Sequence, residues 1–111
     1  MTAIDRVIVD EIAEIMGEEF PDLVRTYLDS APLLIHQLEN AAHQDGIDVL
    51  IGPAHSLKAS SNDLGALQLA EVAQAIEHDA RTGNASARDH VPLLQLRFDE
   101  AHAELVKIIT P

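Results

Sequence analysis

Imidazole is the side chain best suited to nucleophilic attack, proton transfer or metal binding near neutral pH. This sequence has six histidines, His36, His43, His55, His78, His90 and His102, and no cysteine. A helical metal site needs ligands three or four residues apart. His36 and His43 are seven apart, roughly 10 Å along a helix axis, so they cannot share an ion. Glu39 is placed to pair with His36 or His43, and Asp99 with His102. Two-ligand sets of this kind read as surface ion pairs, so no metal site is expected. Without thiolates, disulfides and cysteine nucleophiles are excluded as well.

His55 stands apart by its surroundings. At helical spacing it shares a face with Ile51, Lys58, Ala59 and Asn62, one residue round from the apolar stripe Leu50, Ala54, Leu57, Ser61. Gly52, Ala54, Ser56, Ala59, Ser60 and Ser61 are small and leave room for a partner to approach. No carboxylate occurs from Val49 to Asn62, the longest such gap in the chain, and Lys58 is the one formal charge within it. A neutral imidazole nitrogen is a good nucleophile near pH 7, and an ammonium one turn away can steady an arriving anion. With no acidic neighbour in view to repel that anion, the combination suits reversible capture of a phosphoryl group. Phosphoryl transfer depends on alignment and charge compensation more than on covalent machinery. A Ser–His–Asp hydrolase is a weaker reading, because there is no Gly-x-Ser-x-Gly elbow.

The elements that must hold His55 are helices. Apolar residues recur every three or four positions, and no segment alternates as a strand does. Ile4, Ile8, Glu11, Ile12 and Ile15 mark a first helix ended by Gly17. Glu18 and Glu19 suit the start of a second, which carries Phe20, Leu23 or Val24, Tyr27, Ala31, Leu34, Leu38 and Ala41 inward. Pro21 fits its first turn, Pro32 should kink it, and Asp45-Gly46 stops it. The third helix spans about Asp48 to Leu64 with Leu50, Ala54, Leu57, Ser61 and Leu64 inward; Pro53 either kinks it or marks a late start. Gly65 is its left-handed cap. The fourth, about Ala66 to Arg81, turns in Ala66, Leu69, Ala73, Ile76 and Ala80. After Thr82-Gly83-Asn84, Ser86 and Asp89 resemble a capping box. Val91, Leu94, Phe98, Ala101, Leu105 and Ile108 then form the seam of the last helix. The expected architecture is all-α: one domain over residues 1–111, an antiparallel four-helix bundle with an additional short N-terminal helix.

Composition narrows the function further. The chain has 7 Lys+Arg against 19 Asp+Glu and a formal charge of −12. So acidic a surface is unsuited to nucleic acid phosphates or anionic membranes. Aromatics make up 3% and Trp is absent, which argues against base stacking. No signal peptide is read at the N-terminus, and no apolar run reaches the roughly 20 residues of a membrane span. The expected location is cytoplasmic.

Residues 54–66, Ala-His-Ser-Leu-Lys-Ala-Ser-Ser-Asn-Asp-Leu-Gly-Ala, resemble the signature of histidine phosphotransfer (HPt) domains. That signature is His-x-Leu-Lys-Gly-Ser, a polar stretch, then a hydrophobic residue and Gly. Phe20 to Leu38, with its Phe at the start and Pro32 within, is similar to the family's second helix. Leu69, Ala70, Ile76 and Glu77 match the helix after the motif. The resemblance implies a free-standing bacterial phosphorelay protein. His55 would accept a phosphoryl group from a receiver-domain phospho-Asp, through its Nε2, and pass it to another receiver. Lys58 would contact the phosphoryl oxygens, and Gly65 would end the helix. Ala59 stands where the family usually has Gly. Docking would use Ile51, Gly52, Ala59 and Asn62, with Tyr27 on the neighbouring helix. The implied partners are response-regulator receivers and a hybrid sensor kinase. The chain itself would need no cofactor, since the Mg²⁺ belongs to the receiver, and would be a monomeric carrier without ATP-dependent kinase activity. The competing readings are a binding module that docks a regulator without carrying phosphate, and an unrelated helical enzyme or metal protein.

Overall fold

Six helices follow one another in a computed structural model that describes residues 2–44 and 46–111. They are α1 (Arg6–Met16), α2 (Phe20–Ala41), α3 (Ile51–Asp63), α4 (Leu67–Arg81), the single turn α5 (Ala87–His90) and α6 (Pro92–Ile109). No strand occurs among the described residues. α2, α3, α4 and α6 form the four-helix bundle, with α1 laid against one end as the extra helix. The stripes of α3, α4 and α6 read from the sequence are buried, apart from a half-buried Ile108 at the end of α6.

Two stripes differ from expectation. In α2 the inward residues are Val24 and Ile35, with Leu34 half-buried beside them. In α1 the stripe centres on Val9 and the preceding Ile4; Ile8 and Ile12 are half-buried, and Ile15 is 78% exposed. α1 packs on one side only, so it needs a narrower apolar face than a bundle helix. Its start is fixed by Asp5, whose carboxylate accepts from the amides of Val7 at 2.9 Å and Ile8 at 3.5 Å.

The prolines and the late capping signal also resolve. Pro21 and Pro92 lie in first turns, where no N–H is needed. α2 continues through Pro32 at the loss of one ladder bond. Pro53 goes with the late start: the α-helix begins at Ile51 and not near Asp48. Residues Ile47–Leu50 form a 3₁₀ turn that leads into α3, and Pro53 falls in α3's first turn. Ser86 makes no capping bond; Asn84 Oδ1 accepts the Ser86 amide at 2.9 Å instead. α2 ends earlier than Asp45-Gly46, at Ala41; Gly46, at φ +82°, leads into the turn before α3, and Asp45 lies outside the described residues.

Gly65 sets where α3 ends. Its φ is +72°. The Ala66 amide reaches back to the Ser61 carbonyl at 2.8 Å, and that of Gly65 to Asn62 at 3.1 Å, the paired bonds of a Schellman cap. The Gly65 carbonyl accepts the Asp5 amide at 2.8 Å. A Cβ at this position would lie 2.8 Å from the Asp5 carbonyl oxygen. The glycine thus allows both the left-handed turn and the close passage of the N-terminal segment.

Candidate functional site

The α3–α4 hairpin builds the site. The tight turn at Leu64–Ala66 folds α4 back along α3, and these two helices pack on each other more extensively than any other pair. Leu57 and Ala54 of α3 and Ala73, Ile76 and Ala80 of α4 are buried at the seam. His55 and Lys58 stand one turn apart at the edge of α3; Glu77 and Arg81 stand one turn apart on the facing edge of α4.

Glu77 is the hub. Its side chain keeps only 7% of its surface exposed. Its Oε2 accepts from His55 Nδ1 at 3.0 Å and from Arg81 Nε at 2.9 Å, and Arg81 Nη2 approaches the same oxygen to 2.8 Å. Its Oε1 lies 2.6 Å from Lys58 Nζ, a charge contact rather than a well-directed hydrogen bond. Lys58 above all, then Arg81 and His55, lower the Glu77 carboxyl from 4.5 to about 2 against the opposing effect of burial. A carboxylate that stays ionised can only accept. His55 Nδ1 is therefore the N–H nitrogen, and Nε2 carries the lone pair. Nε2 makes no hydrogen bond among the described residues, and the imidazole is 57% exposed.

The arrangement corrects one sequence expectation. An acid does stand beside His55, delivered by α4 across the groove. It does not repel an incoming anion outright, because Lys58 and Arg81 together outweigh it by one charge. Gly52, Ala59 and Asn62 are exposed on α3 around His55, and Ile51 is half-buried next to them. Tyr27 does not reach this surface. It is 4% exposed, and its hydroxyl bonds Ser61 Oγ at 2.8 Å inside the bundle. Burial pushes its phenol up to about 12, with the Ser61 bond opposing.

Sequence reasoning missed Arg81 and missed what Glu77 does. The signal for Glu77 was present: Ala73, Glu77 and Ala80 share one inward face, and a carboxylate on an apolar stripe must find donors. The other histidines depart from the expected pairings. No ion pair joins Glu39 to His36 or His43 among the described residues. Asp99 is taken by Gln95 at 2.8 Å, and His102 packs on Phe98 with ring centroids 5.8 Å apart. His90 Nε2 instead meets Asp79 at 3.0 Å. Among the described residues no three His, Asp or Glu side chains gather where they could hold a metal ion, and no helix is long and apolar enough to cross a membrane.

A family model, the Hpt domain, matches residues 22–107. The fold is similar to that of histidine-containing phosphotransfer protein B (HptB) from Pseudomonas aeruginosa PAO1. The TM-score is 0.90 at 23% sequence identity, over 96% of this chain and 94% of that one. No curated protein sequence matches at a significant level.

Proposed function

Because the chain belongs to the Hpt domain family, we propose that it is a phosphoryl carrier of a multistep phosphorelay and that His55 Nε2 is the atom that carries the group. The observation behind this reading is the buried Glu77 carboxylate on His55 Nδ1. It selects the tautomer whose lone pair faces solvent.

The step follows from that geometry. A receiver domain bearing phospho-Asp docks over α3. The Nε2 lone pair attacks phosphorus and forms the N–P bond. The P–O bond to the aspartyl carboxyl breaks, and that carboxylate leaves with the bonding electrons. The imidazole ring gains positive character, which Glu77 stabilises through Nδ1–H. Lys58 can turn from Glu77 to the phosphoryl oxygens, while Arg81 continues to neutralise Glu77. A second receiver reverses the step and takes the group away. The Mg²⁺ for the reaction is the receiver's, and the carrier has no ATP-dependent kinase activity of its own.

The test is a transfer assay with a panel of labelled phospho-receivers and Mg²⁺. The expected product is an acid-labile, base-stable label that is lost in His55→Gln and acquired more slowly in Lys58→Ala. A label that persists in folded His55→Gln overturns the assignment. Receiver binding without transfer moves the chain to the class of regulator-docking modules.

A further inference from the structure

A carboxylate on one nitrogen of an imidazole has two opposed effects. It orients the ring, and it also favours the imidazolium. The second effect harms a nucleophile, because the added proton goes to Nε2 and consumes the lone pair. Two cations among the described residues offset Glu77. Lys58 Nζ meets Oε1 at 2.6 Å. Arg81 Nε meets Oε2 at 2.9 Å, the oxygen that also takes His55 Nδ1 at 3.0 Å. The guanidinium therefore stands within about 6 Å of the imidazole, near enough for its charge to weigh on the ring. Other charges stand off. Asp48 precedes His55 by seven residues and Asp63 follows it by eight, each roughly 10 Å or more along the axis. His78 is exposed on the outer face of α4 beside Glu71 and Gln74. From α2, Thr26 and Ser30 approach α3 and carry no charge.

We infer that Arg81 is a positioning residue that, through Glu77, keeps the His55 ring uncharged until the phosphoryl group arrives. The group that arrives rests on the carrier reading above; the effect on the empty ring does not. The charges around the ring carry the argument. Glu77, Lys58 and Arg81 sum to +1 while Nε2 is free, so a further proton on the ring is opposed. A phosphoryl group on Nε2 brings about two negative charges and takes the same sum to about −1. The ring can then carry positive charge. No proton has to move in either direction. On capture Nε2 gives its lone pair to phosphorus, and on release it takes the N–P electron pair back, while Nδ1–H stays on Glu77 Oε2. A ring that left without that proton would be an imidazolate, a far poorer leaving group. Arg81 suits this task better than Lys58. Lys58 shares a helix face with His55 and can turn to the phosphoryl oxygens. Arg81 is tied to Glu77 by both Nε and Nη2 across one turn of α4, so its charge stays on Oε2 through the cycle.

The experiment follows the His55 ring by NMR titration of the unphosphorylated protein in wild type, Arg81→Gln, Arg81→Lys and Arg97→Gln. Arg97 pairs with Glu100 on α6, so its variant loses the same charge away from the site. In Arg81→Gln the ring should take up its proton at a pH about one unit higher than in wild type, a tenfold gain in proton affinity. Arg81→Lys should restore most of the difference, and Arg97→Gln should move the midpoint by less than about 0.3 unit. Acceptance from a phospho-receiver and from phosphoramidate is then measured relative to wild type at the same pH. In Arg81→Gln it should fall by up to about tenfold toward pH 5.5 and return to within about twofold at pH 8.5. An unchanged midpoint in Arg81→Gln overturns the inference. So does a midpoint that moves as far in Arg97→Gln, which would place the effect on net charge, or in Arg81→Lys, which would place it on guanidinium geometry. An equal loss of acceptance at every pH overturns it as well, because Arg81 would then act on the phosphoryl group itself. If the midpoint moves as expected but wild type loads from neither donor, the role of Arg81 stands and the carrier reading falls.

Discussion

Replacing Glu77 by Gln preserves the size of the hub and removes its charge. Lys58 Nζ at 2.6 Å and Arg81 Nη2 at 2.8 Å then lose their counter-ion. The fall of the Glu77 carboxyl from 4.5 to about 2 corresponds to about 3 kcal/mol if nothing screens it. The Lys58 and Arg81 side chains are 26% and 55% exposed, so screening should leave about 1–2 kcal/mol of that at pH 7. The sign follows from the depressed value. The stabilisation is complete above the unfolded pKa near 4.5 and disappears as pH falls toward 2. Urea unfolding of wild type and Glu77→Gln at pH 7, 5 and 3 should give curves that differ by about 1–2 kcal/mol at pH 7. They should converge on acidification, and the gap should shrink in molar salt. The tautomer supplies an independent readout. Nitrogen chemical shifts should show Nδ1–H at His55 in wild type and a mixture in the variant, because a Gln amide can present either its oxygen or its NH₂. A stability gap that stays constant from pH 7 to 3, or a wild-type ring with its proton on Nε2, would refute the hub as described.

Two further outcomes can be checked on the folded protein alone. Gly65→Ala forces a Cβ to within 2.8 Å of the Asp5 carbonyl at φ +72°, and should cost about 2–3 kcal/mol in urea unfolding; a loss under about 1 kcal/mol would mean that the N-terminal segment yields freely. Tyr27 has a raised pKa of about 12, so wild type should lose stability as pH climbs from about 10 toward 12. Tyr27→Phe should lack that alkaline loss while being less stable at neutral pH by about 1–2 kcal/mol, since Ser61 Oγ is left unpaired. Parallel alkaline curves for the two proteins would contradict the buried phenol.

The sequence disclosed most of the bundle because a helix packed on two neighbours must repeat its apolar residues every three to four positions. Leu94, Phe98, Ala101 and Leu105 do so without interruption, and all four are buried. α1 was harder to read: packed on one side, it can leave Ile15 in solvent. The one-turn α5 was invisible, because Ala87–His90 is too short to show a period. At the site, His55 and Lys58 were legible from local spacing and the absence of nearby acids. Glu77 and Arg81 were not, because that absence was judged along the chain, whereas electrostatics acts through space. The period places Tyr27 inward, and it is 4% exposed; only the family resemblance put it on the docking surface.

All four cluster side chains lie within one hairpin, and His55 and Glu77 are separated by only 22 positions. The loop closed by this polar network is therefore short, and closing it costs little chain entropy. By contrast, the hydrogen bond between Asp5 and Gly65 joins segments distant in sequence. The network should thus form early in folding and persist when the ends of the molecule open. In amide hydrogen exchange, α3 and α4 should behave as one slow unit while α1 exchanges sooner. A bundle built in this way can let its periphery yield while His55 keeps its tautomer.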